Sequence, residues 1–319
     1  VFKKGMRCLA VFFFFLGFKG TLFSQCTSGC CAPGTANFGV LDKGDLLLFS
    51  FFKRDYSDTY FKGNSPTNFN YLTNDYADYG SVTLSYGITQ KFTVQGSLGY
   101  YLTKTENFNI PIIGQQQLAG KGLSDVELFA KYNIYHSKND VLSLTLALGG
   151  KLPTGPYKLA VDKVELTRDV QPGSGAYSGA SVLYVMLKPF KNKKQSIMFN
   201  SRVNYNGVNP QGYQYGVENI NSLSTVFKLY KDISLIVMFR NENKASDIVN
   251  NVLLSSSSST RLFATPGITM NLGHELLFSL YGDFPIYQYY DGIQLAAKYA
   301  FSVSLSKLFE FHEKPTPIN

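Results

Sequence analysis

Tryptophan is absent from this chain, histidine occurs only at 136, 274 and 312, and no cysteine follows residue 31. Charge is scarce too, at 16% Asp, Glu, Lys and Arg, against roughly 25% in soluble domains. Beyond the first two dozen residues, no window approaches the roughly 20 apolar residues that a membrane-spanning helix needs. Each lack removes a class of explanation. Without later cysteines, no disulfide can brace the body of the chain. There is no G-x-S-x-G, H-E-x-x-H or phosphate loop. His136 and His274 fall in predicted tight turns and His312 in the tail, so none is held beside a serine on a rigid strand. The chain therefore reads as a non-enzyme without a cofactor.

What is present begins with an export signal. Lys3, Lys4 and Arg7 precede an apolar run from Leu9 to Leu16 and then small or polar residues up to Ser24 and Gln25, which places cleavage near Ser24. Removing the four leader bases takes the formal net charge from +8 to +4. So small an excess does not call for nucleic acid, and no basic patch interleaved with aromatics occurs. Cys26, Cys30 and Cys31 then crowd the new N-terminus. In an oxidising envelope two of them can pair locally, while lipidation of Cys26 competes and lacks the small residue expected before a lipidated cysteine. Three thiolates could also hold a soft metal, yet no histidine lies nearby to complete a tetrahedral site, so no metal is assigned.

From Gly80 onward, segments of period two alternate with turn-like breaks. Ser81 to Ile88 puts Val82, Leu84, Tyr86 and Ile88 on one face, and Phe92 to Leu102 does the same with Val94, Leu98, Tyr100 and Leu102. Further strands are predicted near 125–135, 141–152, 176–187, 196–205, 221–229, 233–243, 261–272, 275–284 and 293–309, with a first at 45–53. Tight turns at 89–91, 137–140, 188–194, 230–232 and 273–274 alternate with long connections at about 54–79, 104–121, 153–175, 207–212 and 285–291, and with a serine run at 255–259. About twelve strands, an even number, with turns on one side and loops on the other, predict an all-β fold: a transmembrane antiparallel up-and-down β-barrel over residues 45–309. A polar tail, 310–319, follows.

Apolar residues spaced two apart would face lipid and their polar partners the lumen. That periodicity sends Glu127, Lys131, Lys151, Arg202, Arg240, Glu242, Asp283 and Lys298 inward, as either an interior ion-pair network or a polar channel wall. Tyr86, Phe92, Tyr100, Tyr101, Tyr132, Tyr135, Tyr205, Tyr299 and Phe309 fit interfacial girdles. The last strand ends on Phe309, the aromatic close usual for substrates of the barrel-assembly machinery, an expected partner during biogenesis alongside outer-membrane lipid.

Four stretches carry a family likeness: Ser81 to Thr89; Gly122-Leu123-Ser124-Asp125 opening Val126 to Tyr132; Gly150-Lys151-Leu152-Pro153-Thr154-Gly155; and Val170-Gln171-Pro172-Gly173-Ser174-Gly175. In these, and in their order and spacing, the chain resembles the outer-membrane transporter family named for the MetA pathway of phenol degradation. That resemblance implies a barrel passing small, often hydrophobic compounds, and it transfers no binding residues. The Ser24-Gln25 junction and Tyr/Asn/Lys-rich composition suggest a Bacteroidetes-like Gram-negative source. The sequence thus predicts a channel in the cell outer membrane for a small, hydrophobic or aromatic solute, with a non-conducting structural or partner-binding barrel as the alternative. Residues 25–44, rich in Cys, Gly and Pro, are expected either as a small plug or as a periplasmic segment leading to the barrel.

Overall fold

The computed structural model describes residues 39–68, 72–110, 114–161, 163–189 and 195–311. The expected leader, the three-cysteine cluster, residues 312–319 and most of the 188–194 turn lie outside the described residues.

Short strands at 65–67, 160–161, 164–165, 213–214, 247–249 and 252–254 lie in the connections, and the wall is one closed antiparallel sheet. Its strands are β1 Leu46–Gly63, β2 Leu72–Thr89, β3 Phe92–Ile110, β4 Gly114–Leu123, β5 Val126–His136, β6 Leu142–Leu152, β7 Ser178–Leu187, β8 Gln195–Asn206, β9 Glu218–Lys228, β10 Ile233–Lys244, β11 Ser259–Asn271 and β12 Leu276–Phe309. Each pairs with its sequence neighbour, and β1 closes the barrel on β12 from Leu46 opposite Phe309 to Gly63 opposite Tyr290. β4 and β5 share one stave, because β3 pairs first with β5 through residues 92–97 and then with β4 through residues 100–110. β12 makes two. It folds back near Gly292, whose φ is +75°, so that Phe284 meets Phe301, Gln288 bonds the Ala297 carbonyl and the Leu308 N–H reaches the Glu275 carbonyl. The wall is therefore twelve staves of an up-and-down barrel.

Closure removes every sheet edge, which is what lets a β-structure sit in lipid. Val82, Leu84, Tyr86 and Ile88 point outward and exposed, while Thr83 and Ser85 are buried inside, and the same holds for Val94, Leu98 and Tyr100 against Thr93. The apolar belt is thus on the outside. Among the described residues no helix is long and apolar enough to cross a membrane; this chain crosses with strands.

Three regions differ from the sequence reading. The expected loop at 104–121 is mostly a β3–β4 hairpin, and β1 and β2 run well into the expected loop at 54–79. Above the lipid the outer face no longer needs apolar residues, so the period-two signal fades while the hydrogen-bond ladder continues. The expected loop at 285–291 is likewise strand, paired with β11 up to Tyr290. Tyr101 belongs to the interior rather than to a girdle: it is buried, its ring 4.7 Å from that of Tyr79.

At the opposite end, residues 42–45 turn beneath β2. The Gly44 N–H donates to the Gly87 carbonyl and the Gly87 N–H to that of Asp45. Gly87 has to be glycine here, since a Cβ would lie 2.0 Å from the Asp42 carbonyl oxygen.

Candidate solute pathway

The loop-side half of the lumen holds two ion clusters. In the first, Glu127 on β5 takes Arg202 from β8, with Nη2 to Oε1 at 3.1 Å and Nη1 to Oε2 at 3.4 Å, and Lys151 from β6 at 3.7 Å. Because β6 and β7 separate β5 from β8, the Arg202–Glu127 pair is a chord across the lumen. Arg202 Nε also donates to Asn204, which passes the contact to Glu218. In the second cluster, Arg240 on β10 reaches over β11 to grip both oxygens of Asp283 at 3.0 and 3.1 Å. Its Nε holds Glu242 at 2.7 Å, and Arg261 holds the other Glu242 oxygen at 2.9 Å. Thr265 donates to Asp283, and the Arg240 guanidinium lies 4.7 Å from the Phe263 ring centre. Taking such charges out of water is costly, so each is matched by an opposite charge and by further hydrogen bonds.

Glu127, Lys151, Arg202, Arg240, Glu242 and Asp283 all border interior cavities, and Lys131 is buried in the lumen at 1% exposure. Lys298 does not join them. Register shifts between Tyr56 and Thr59 put it opposite a bulge, and the displaced side chain is 51% exposed, paired with Asp58 at 2.5 Å. A bulge adds one residue to a strand and so inverts the alternation on which the inward placement relied.

The mouth is capped by the 153–177 loop, which folds into the barrel. Asp125 anchors it: one carboxylate oxygen accepts the Gly155 N–H, the other the Ser174 N–H and hydroxyl at 2.9 and 2.6 Å. Gly155 and Gly173 pack backbone to backbone, and Gly122 lies against Pro156 and Pro172. Three of the four stretches that carry the family likeness, far apart in sequence, thus form one junction. Gln171, buried, ties the loop to itself at Leu159 and Leu166, while Lys104 donates to its carbonyl at 3.0 Å. Thr167 bonds Glu106, and Arg168 stacks 4.0 Å from the ring centre of Tyr213. Tyr213 in turn donates to Asp247, which also takes Lys244 at 2.6 Å and the Gly216 N–H. Burial, with the Asp247 carboxylate beside it, pushes the Tyr213 phenol upward, so it stays a donor.

Among the described residues, one cavity of about 180 Å³ and another of about 100 Å³ both touch Lys104, Asp169 and Arg240. The loop tip at Asp169 therefore divides the lumen. The larger cavity combines the first ion cluster with the rings of Tyr79, Tyr101, Phe129 and Tyr184. Sequence periodicity missed Asp125 and the 168–174 tip, because loop residues have no face to alternate, and Lys104, because the upper part of β3 has no apolar outer face to mark its alternation; for the first two the Gly- and Pro-rich likeness motifs were the available signal. His274 does sit in a tight turn, while His136 ends β5, paired with Ser143 and 3.5 Å from Asp140. His312 lies outside the described residues.

No family model and no curated protein matches the sequence. Among solved structures, the COG4313 outer membrane channel from Pseudomonas putida F1 superposes with a TM-score of 0.67 at 9% identity, covering 87% of this chain and all of that one. This chain is an outer-membrane β-barrel. Looser likenesses are a KdgM porin, at TM-score 0.47, 8% identity and 83% and 99% coverage, and the Ralstonia pickettii toluene transporter TbuX, at 0.44, 8%, 87% and 92%. These three are described as a channel, a porin and a transporter. At such identities the likeness speaks for the fold.

Proposed function

We propose that the barrel passes a small solute with an apolar or aromatic body passively across the outer membrane. The observation that carries this reading is the larger cavity, where rings and paired charges share one wall beneath a loop anchored at Asp125. Ligand sites of this kind join mainly apolar surface to a few placed polar groups. A chain of the same fold is described as an outer membrane channel, which supports passage over storage or catalysis. Its present cavity is smaller than the roughly 300–1,000 Å³ usual for small-molecule sites, so passage requires the 168–174 tip to withdraw.

One observation favours the non-conducting alternative: chord-like pairs such as Arg202–Glu127 fill lumen that an open pore would leave to water. Flux into proteoliposomes separates the two readings. Small neutral aromatics such as benzyl alcohol and small aromatic carboxylates are expected to enter faster than through protein-free vesicles, and sugars of disaccharide size to be excluded. Entry no faster than in empty vesicles, from protein that remains heat-modifiable on gels, would refute transport.

A further inference from the structure

The geometry points to an anion site in the larger cavity, where Arg168 and Tyr215 hold the carboxylate of a small aromatic or short-chain acid. The site deepens the channel reading and rests on it. Six basic side chains border this cavity. Four are committed to acids: Lys151 and Arg202 to Glu127, Arg240 to Asp283 and Glu242, and Lys244 to Asp247. Lys104 donates to the Gln171 carbonyl and lies beside the Asp169 charge. Arg168 is left. Among the described residues no acceptor takes its N–H groups, and its guanidinium rests on the Tyr213 ring, 4.0 Å from the centre. The acids of the wall do not compete for it, since Asp125, Glu127, Glu218 and Asp247 already accept hydrogen bonds from other neighbours.

The guanidinium is held in place by what lies under it. The Tyr213 hydroxyl donates to Asp247 at 2.5 Å, and Asp247 is itself fixed by Lys244 and by the Gly216 N–H. A guanidinium stacked on a ring face keeps the edge that carries its N–H fork free, and that fork matches a carboxylate with two parallel hydrogen bonds. Tyr215 adds a third donor. Its ring meets that of Tyr213 edge-on at 4.8 Å, and among the described residues its hydroxyl has no hydrogen-bond partner. Burial, with the Asp169 and Asp247 carboxylates nearby, pushes this phenol upward, so it stays protonated. The Arg168 charge acts on the same phenol, which puts the two donors side by side. The body of the acid meets the rings of Tyr79, Tyr101, Phe129 and Tyr184 on the wall of the same cavity. A volume of about 180 Å³, below the drug-sized range, limits that body to a single ring or a short chain.

Benzoate, benzyl alcohol and benzylamine share a ring and differ in charge, and calorimetric titration of the full-length protein in detergent at pH 7 compares them. The parent protein is expected to bind benzoate about tenfold more tightly than the other two, the margin of one charge-assisted hydrogen bond. Arg168→Gln should remove that margin and leave benzyl alcohol unchanged, with Arg168→Lys between the two. Tyr215→Phe should weaken benzoate about threefold. Tyr215 lies outside the 153–177 loop, so this second loss does not depend on the loop staying closed. Equal affinities for the three compounds, no binding of benzoate, or a benzoate affinity that either Arg168→Gln or Tyr215→Phe leaves unchanged would overturn the site. The channel reading fails separately. Benzoate that binds with the expected margin yet enters proteoliposomes no faster than empty vesicles leaves a binding barrel. Neutral aromatics that enter through a protein without the margin leave a channel with no anion site.

Discussion

Arg240→Ala is expected to be the most destabilising single change in the barrel wall. Arg240 is buried between Asp283 and Glu242. Truncating it leaves Asp283 in the interior with the Thr265 hydroxyl and the neighbouring Lys53 charge, while Glu242 keeps Arg261. Breaking a buried ion pair by removing one partner costs about 3–5 kcal/mol. Replacing both charges by apolar residues of similar volume is often close to neutral. Arg240→Met combined with Asp283→Leu should therefore recover most of the loss. Arg54→Ala is the control: its two hydrogen bonds to Asp78 are equally short, but its side chain is 54% exposed. Exposed pairs of that kind contribute about 1 kcal/mol or less. The temperature at which the folded gel band is lost should fall strongly for Arg240→Ala and little for Arg54→Ala. Equal shifts would mean that the cluster is not buried.

Asp125→Ala should free the loop that caps the mouth. Three donors, the Gly155 N–H, the Ser174 N–H and the Ser174 hydroxyl, share this carboxylate. Hydrogen bonds to a charged group are worth about 1.5–3 kcal/mol each. Losing even ~3 kcal/mol from the closed loop shifts its opening equilibrium about a hundredfold, since 1.4 kcal/mol is tenfold. The expected results are faster cleavage of the 153–177 loop by added protease and a several-fold rise in solute flux. The barrel itself should remain intact, because Asp125 lies between β4 and β5 and supports the loop rather than the ladder. Protease resistance equal to the parent protein would show that Gln171 and Lys104 hold the loop unaided.

The wall was legible in the sequence wherever lipid imposes a period of two. Val82, Leu84, Tyr86 and Ile88 against Thr83 and Ser85 state both the strand and its inner face, and the same logic placed Glu127, Arg202, Arg240 and Asp283 inside. It failed where lipid stops acting. The polar hairpin from Lys104 to Leu123 has no apolar side to mark it as strand, and Lys298 follows an alternation that a bulge has already shifted. Partners could not be read at all. Arg202 and Glu127 are 75 residues apart and meet only because the barrel closes, and Ser174 meets Asp125 only because a long loop turns inward. Gly122, Gly155 and Gly173 were visible as turn-like residues, but their convergence on one junction is a property of the folded loop.

Passage through the lumen is the central claim, and single-channel recording in planar bilayers tests it most directly. The purified, heat-modifiable protein should give small, steady conductance steps, larger in Asp125→Ala and altered in Arg202→Ala, whose guanidinium spans the lumen. A well-folded protein that stays silent over the accessible voltage range, and remains silent in Asp125→Ala, would contradict the channel and leave a structural barrel.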